Sequence, residues 1–172
     1  MTRPTDPEDF RSRVFPVQED MAYQLKVWRF ERVGWYVLVL LVALTLLGLF
    51  SRGPLSSRDV HSSDGRLDVE YEMFHRNGST NSMVIHLKGQ PNALLEVELG
   101  GGWLEGFDVQ TLQPQPLRSA SAGQGMRIWV QADAQGHASL YLSLLAEGLG
   151  LYSSRITTPG STAVSFDQFI FP

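Results

Sequence analysis

Between Arg32 and Arg52 the chain carries no charged residue, and the run 33–51, VGWYVLVLLVALTLLGLFS, is the longest stretch of its kind. About 19 residues at about 1.5 Å per residue cover the roughly 30 Å of a bilayer's hydrocarbon core, so the run predicts one transmembrane helix over 33–51. Upstream, Met21, Leu25, Trp28 and Arg32 recur at helical spacing, with no proline or turn signal before the run. Glu19 and Asp20 suit the positive end of a helix dipole. The pattern therefore predicts one helix over 19–51, of which 18–32 is a juxtamembrane amphipathic segment. Its collar of Lys26, Trp28, Arg29, Arg32, Trp35 and Tyr36 combines rings that suit the membrane interface with cations that reach lipid phosphates. Phe30 belongs to the same aromatic belt.

Downstream the period changes from helical to two. Leu67, Val69, Tyr71 and Met73 alternate with Asp68, Glu70 and Glu72, and Met83, Ile85 and Leu87 follow the same rule. So do Leu95, Val97 and Leu99; Phe107 and Val109; Met126, Ile128 and Val130; Leu140, Leu142 and Leu144; and Val164 and Phe166. Turn signals separate them, among them Asn77-Gly78, the triple glycine Gly100 to Gly102, Gln135-Gly136 and Pro159-Gly160. Seven or eight half-buried strands over 66–172 predict a mainly β domain, an antiparallel immunoglobulin-like β-sandwich, with a small β-barrel as the alternative. Segment 144–151, LLAEGLGL, fits either a strand or a helical turn. Residues 52–65 read as a linker rich in Ser and Asp, and 1–17, with three prolines and no apolar period, as a flexible cytoplasmic tail.

Charge adds an orientation. Close before the run stand Arg13, Lys26, Arg29 and Arg32, and close after it Arg52, Arg58 and Arg66. Three of the first set lie directly against the membrane, which favours a cytoplasmic N-terminus and a periplasmic or other extracytoplasmic domain. A cleaved signal peptide is a poor fit: more than 30 residues precede the apolar core, and the core is too long. The run is expected to stay as a signal anchor. The net charge of -4, with Lys88 the single lysine beyond the run, argues against nucleic-acid binding. The lack of cysteine excludes disulfides, thiolate metal sites and thiol nucleophiles.

Arg32-Val33-Gly34-Trp35, then Gly53-Pro54-Leu55-Ser56, then Tyr71-Glu72-Met73-Phe74 with Arg76 resembles a group of small uncharacterised bacterial proteins. Each has one N-terminal span and an extracytoplasmic β-domain. The resemblance covers most of the chain and implies a bacterial inner-membrane setting; it brings no site residues with it.

Catalytic and metal signals are weak. His61, His75, His86 and His137 show no spaced ligand pair, no Gly-x-Ser-x-Gly or Ser-x-x-Lys motif occurs, and no calcium loop is present. No cofactor or metal is expected. Glu70, Glu72, Glu96 and Glu98 would make an acidic binding surface if their strands are neighbours, and otherwise a solvated face. Gly100 to Gly102 lacks the lysine and following helix of a phosphate loop. It either presents Trp103 to a partner or lets Trp103 fold over an open end of the sandwich. Trp129, out of phase with Ile128 and Val130, and Phe169 and Phe171 near the C-terminus complete the candidate partner-binding set, although a final strand buried on both faces explains the two phenylalanines equally. The sequence thus predicts a non-enzymatic, single-pass accessory protein whose β-domain binds another envelope or integral-membrane protein as well as lipid. A sensor coupling an external ligand to the cytoplasmic tail is the alternative, and an anchored enzyme a distant third.

Overall fold

The computed structural model describes residues 21–47, 53 and 55–172, with side chains from Lys26 onward. The tail 1–17, the expected helix start at 19–20 and the stretch 48–52 lie outside the described residues. The chain divides into two compact units, Met1–Leu41 and Val42–Pro172.

Helix α1 runs Met21–Leu46. Among the described residues no helix is long and apolar enough to cross a membrane. The reason is arithmetic: its charge-free part begins at Val33, and about 14 residues to Leu46 span about 21 Å. Most of the remaining charge-free run falls in 48–51.

Among the described residues eleven strands build two sheets. One has five strands in the order β1 (Ser57–His61), β2 (Leu67–Glu72), β4 (Thr80–Lys88), β9 (His137–Ala146) and β6 (Phe107–Gln113). The other has six: β3 (Phe74–Arg76), β11 (Val164–Phe171), β10 (Gly150–Thr157), β5 (Leu94–Gly101), β8 (Gly125–Gln131) and β7 (Arg118–Ala122). All pairings are antiparallel except β3 on β11. The architecture is mainly β and consistent with a sandwich. Its shared core takes alternate residues from the longer strands: Leu67 and Val69, Met83, Ile85 and Leu87, and Leu140, Leu142 and Leu144 from the five-stranded sheet. Val97, Leu99, Ile128, Val130, Ile156, Val164, Phe166 and Ile170 come from the six-stranded one. The expected period of two is therefore the core period, because each sheet buries one face.

Two expectations need correction. The linker 52–65 is not unstructured: 57–61 form β1, which pairs with β2 along its length from Ser57↔Glu72 to His61↔Asp68. Its residues, SRDVH, carry little hydrophobicity because β1 is an edge strand with exposed positions on both faces. The domain also starts earlier than residue 66. Ser56, fully buried, donates its hydroxyl to the Phe74 carbonyl at 3.3 Å and accepts the Phe74 N–H at 3.0 Å, fixing the chain's entry against β3. The ambiguous segment 144–151 is the end of β9 and the start of β10, joined by a short turn rather than a helix.

Candidate functional site

The sheets bring the candidate residues to three places: the interior, the outer face of the six-stranded sheet and the outer face of the five-stranded sheet. In the interior, Trp103 sits in α2 (Trp103–Gly106), a single helical turn after β5, and is 1% exposed. It belongs to the core and offers no surface to a partner. Of the preceding glycines, Gly101 has a packing reason. At Gly101, with φ +88°, a Cβ would come within 2.5 Å of the Ser153 carbonyl of β10. Beside the apolar core lies a polar cluster. His75, inward-facing on β3, donates from Nε2 to the Glu72 carbonyl at 2.8 Å and meets the edge of Phe107 at 4.8 Å. Gln168 directs its amide to the same carbonyl at 3.2 Å, and its Oε1 accepts from Ser154 at 3.1 Å. Burial lowers the His75 pKa to about 4, so the ring is neutral at pH 7.

The outer face of the six-stranded sheet is divided along its strands. At one end Trp129 is half-buried and engaged within the chain: its Nε1 donates to Glu96 at 3.0 Å and the Arg118 guanidinium lies 4.8 Å from the ring centroid. Arg127 pairs with Glu98 at 2.7 Å and Glu96 at 3.0 Å, and the Glu98 hydrogen bond raises its pKa further. At the other end Phe169 and Phe171, both half-buried, meet at 4.8 Å, and Phe74 lies 5.8 Å from Phe171. Phe169 is in register with Phe74 on β3 and with Leu151 on β10. Leu151 is 65% exposed and Leu149 60% exposed. Between Phe169 and Phe171, Ile170 points inward, so the last strand alternates rather than being buried on both faces.

The outer face of the five-stranded sheet is polar. Register sets His61, Asp68 and His86 in one row across β1, β2 and β4, and Asp59 and Glu70 in the next. His61 lies between two carboxylates, with Nε2 2.9 Å from Asp59 and Nδ1 2.9 Å from Asp68. His86 contacts Ser139 at 2.8 Å and Glu70 at 3.4 Å. Asp59, His61, Asp68 and Glu70, with Ser57, Arg58 and Glu72, line an open depression of about 410 Å³. Glu70 and Glu72 belong to this sheet while Glu96 and Glu98 belong to the other, so the four do not form one acidic surface. The signal for the depression lay in the alternation of β2, but the contribution of β1 was hidden by its lack of apolar residues. Among the described residues no group of three or more histidine and carboxylate side chains is placed to hold a metal ion.

On α1, Trp28, Trp35 and Tyr36 are exposed, as are Lys26, Arg29 and Arg32. The Arg32 guanidinium stacks 4.0 Å from the Trp28 ring centroid, one turn away. With Glu31, Trp35 and Tyr36 these two line a shallow groove.

No protein-family model matches the sequence, and comparison with curated proteins gives no match. Among solved structures the chain is similar to the cupredoxin domain of amoB from Nitrosocaldus yellowstonii, at 12% identity and a TM-score of 0.34. That match covers 54% of this chain and 56% of the other. A likeness of this degree carries no functional argument, and the site rests on its own geometry.

Proposed function

We propose that the protein is a non-enzymatic, single-pass accessory protein of a bacterial inner membrane. Its N-terminus lies in the cytoplasm, and its β-domain, held outside, binds another envelope or integral-membrane protein. The observation that carries the binding role is the outer face of the five-stranded sheet. There Asp59, Asp68, Glu70 and Glu72 stand around His61 in an open depression on three neighbouring strands. An open, carboxylate-lined sheet surface suits a basic segment of a partner better than an enclosed small molecule, which takes a concave and mostly apolar pocket. The charge-free run 33–51 and the collar from Lys26 to Tyr36 support the anchor and its orientation.

The test is recovery of the tagged full-length chain from membranes in mild detergent. Wild type is expected to bring down a protein that the double variant Asp59→Lys, Glu70→Lys loses, with the variant still folded and membrane-bound. Recovery of the wild-type chain alone across several mild detergents, or a partner indifferent to the double variant, would overturn the assignment.

A further inference from the structure

We propose that the aromatic end of the six-stranded sheet's outer face docks onto the headgroup region of the bilayer in which the chain is anchored. This rests on the anchored reading above and adds a second, lipid-facing surface, separate from the acidic depression on the other sheet.

Position comes first. The β-domain is entered through Ser56, which is fully buried and hydrogen-bonded both ways to the backbone of Phe74. Phe74 is itself part of the aromatic end. From Leu47 to Ser56 is about nine residues, and even fully extended they span about 30 Å. An anchored chain therefore holds this end of the domain within about 30 Å of the end of α1.

Composition comes second. Leu149 and Leu151 stand mostly exposed beside the half-buried rings of Phe74, Phe169 and Phe171. Such residues gain by entering the interfacial zone and lose by staying in water. Arg76 is exposed and in register with Phe171, where its guanidinium can meet a lipid phosphate. Along β11 the next outward carboxylate, Asp167, lies a row further from this end and accepts a hydrogen bond from Ser153 at 2.6 Å. The ion-paired Glu96, Glu98 and Arg127 sit on β5 and β8, at the other end of the face. The exposed Glu147, two residues before Leu149, is the carboxylate that comes nearest to this end along the chain; an apolar end with a cation beside it and the ionic network set away from it still suits a membrane-facing surface.

The natural chain has no cysteine, so single cysteines can carry nitroxide labels without a background. The full chain is reconstituted alone into vesicles of phosphatidylcholine and phosphatidylglycerol. Labels go at Leu149→Cys, Leu151→Cys, Ser119→Cys on β7 and Leu40→Cys in α1. Labels at 149 and 151 are expected to collide with dissolved oxygen several-fold more than with a water-soluble nickel chelate, relative to the label at 119. If 149 and 151 are as open to nickel as 119 while 40 reads as lipid-buried, the anchor stands and the docking surface is overturned. If 149 and 151 are shielded from both reagents, the end meets a second copy of the chain and the lipid assignment is again overturned. If 40 itself is open to nickel, the anchored reading fails and this proposal fails with it.

Discussion

His75 occupies a position that the alternation of β3 would give to an apolar residue: it faces inward, is 1% exposed and packs edge-on to Phe107. Desolvation holds its pKa near 4, below the ordinary 6.5, so the unfolded chain binds this proton more readily than the folded one. Stability from the neutral ring is fully present above pH 6.5 and is lost as pH falls through 4. The shift corresponds to about 3 kcal/mol across that window. Urea midpoints of the β-domain should accordingly fall steeply between about pH 6.5 and 4. In His75→Phe that slope should flatten, whatever the variant's absolute stability. An unchanged slope in the variant would mean that the acid sensitivity lies elsewhere. Nothing in the sequence around Phe74-His75-Arg76 separates this histidine from His61 or His86, which face outward. Burial of a polar ring depends on what surrounds it in the fold, here the Glu72 carbonyl from the opposite sheet and Gln168 from the neighbouring strand β11. Trp103 makes the same point in reverse: its place in the core follows from Gly101 allowing β5 and β10 to close, a contact between strands about fifty residues apart.

Strands with apolar residues on every second position were legible, and β2, β4, β5, β8, β9 and β11 fall where the alternation placed them. Those that escaped have a common physical cause. β1 and β7 are edge strands that bury little, β3 is three residues long, and β10 turns Tyr152, Ser154 and Ile156 inward while Leu151 faces out. In β10 the pattern inverts because Ser154 belongs to the polar cluster with Gln168. The cost of missing β1 is measurable. A fragment beginning at residue 66 lacks β1, one of the two partners of β2, and the Ser56 contacts on Phe74, so the β2 ladder and the half-buried Phe74 N–H lose their bonds. Each such bond contributes about 0.5–1.5 kcal/mol, and a domain of this size has only about 5–15 kcal/mol in total. A fragment of residues 55–172 should show a cooperative urea transition and near-ultraviolet dichroism, and one of 66–172 should show neither. If both unfold alike, β1 is an ornament on the sheet rather than part of its fold.

The whole molecule joins a basic, aromatic helix to an acidic β-domain, and that asymmetry is the basis of the orientation proposed above. Lys26, Arg29 and Arg32 lie within seven residues of the charge-free run. Of the cations that follow the run, Arg58 is part of β1, and Arg66 stands in the turn before β2, where its guanidinium reaches the Gly160 carbonyl at 3.4 Å and Asp64 at 3.8 Å. Those two travel with a folded domain, and the charges of domains weigh less in orientation than those beside the membrane. The difference supports the proposed cytoplasmic N-terminus. Tyr141, 54% exposed on the outer face of the five-stranded sheet, gives a position at which to measure it. In whole cells with a permeable outer envelope, Tyr141→Cys should react with a membrane-impermeant maleimide. Replacing Lys26, Arg29 and Arg32 together by Gln should lower that labelling, because a fraction of chains then inserts the other way. Labelling of Tyr141→Cys that appears only after the inner membrane is broken would reverse the orientation. It would also move the acidic depression and its partner to the cytoplasmic side.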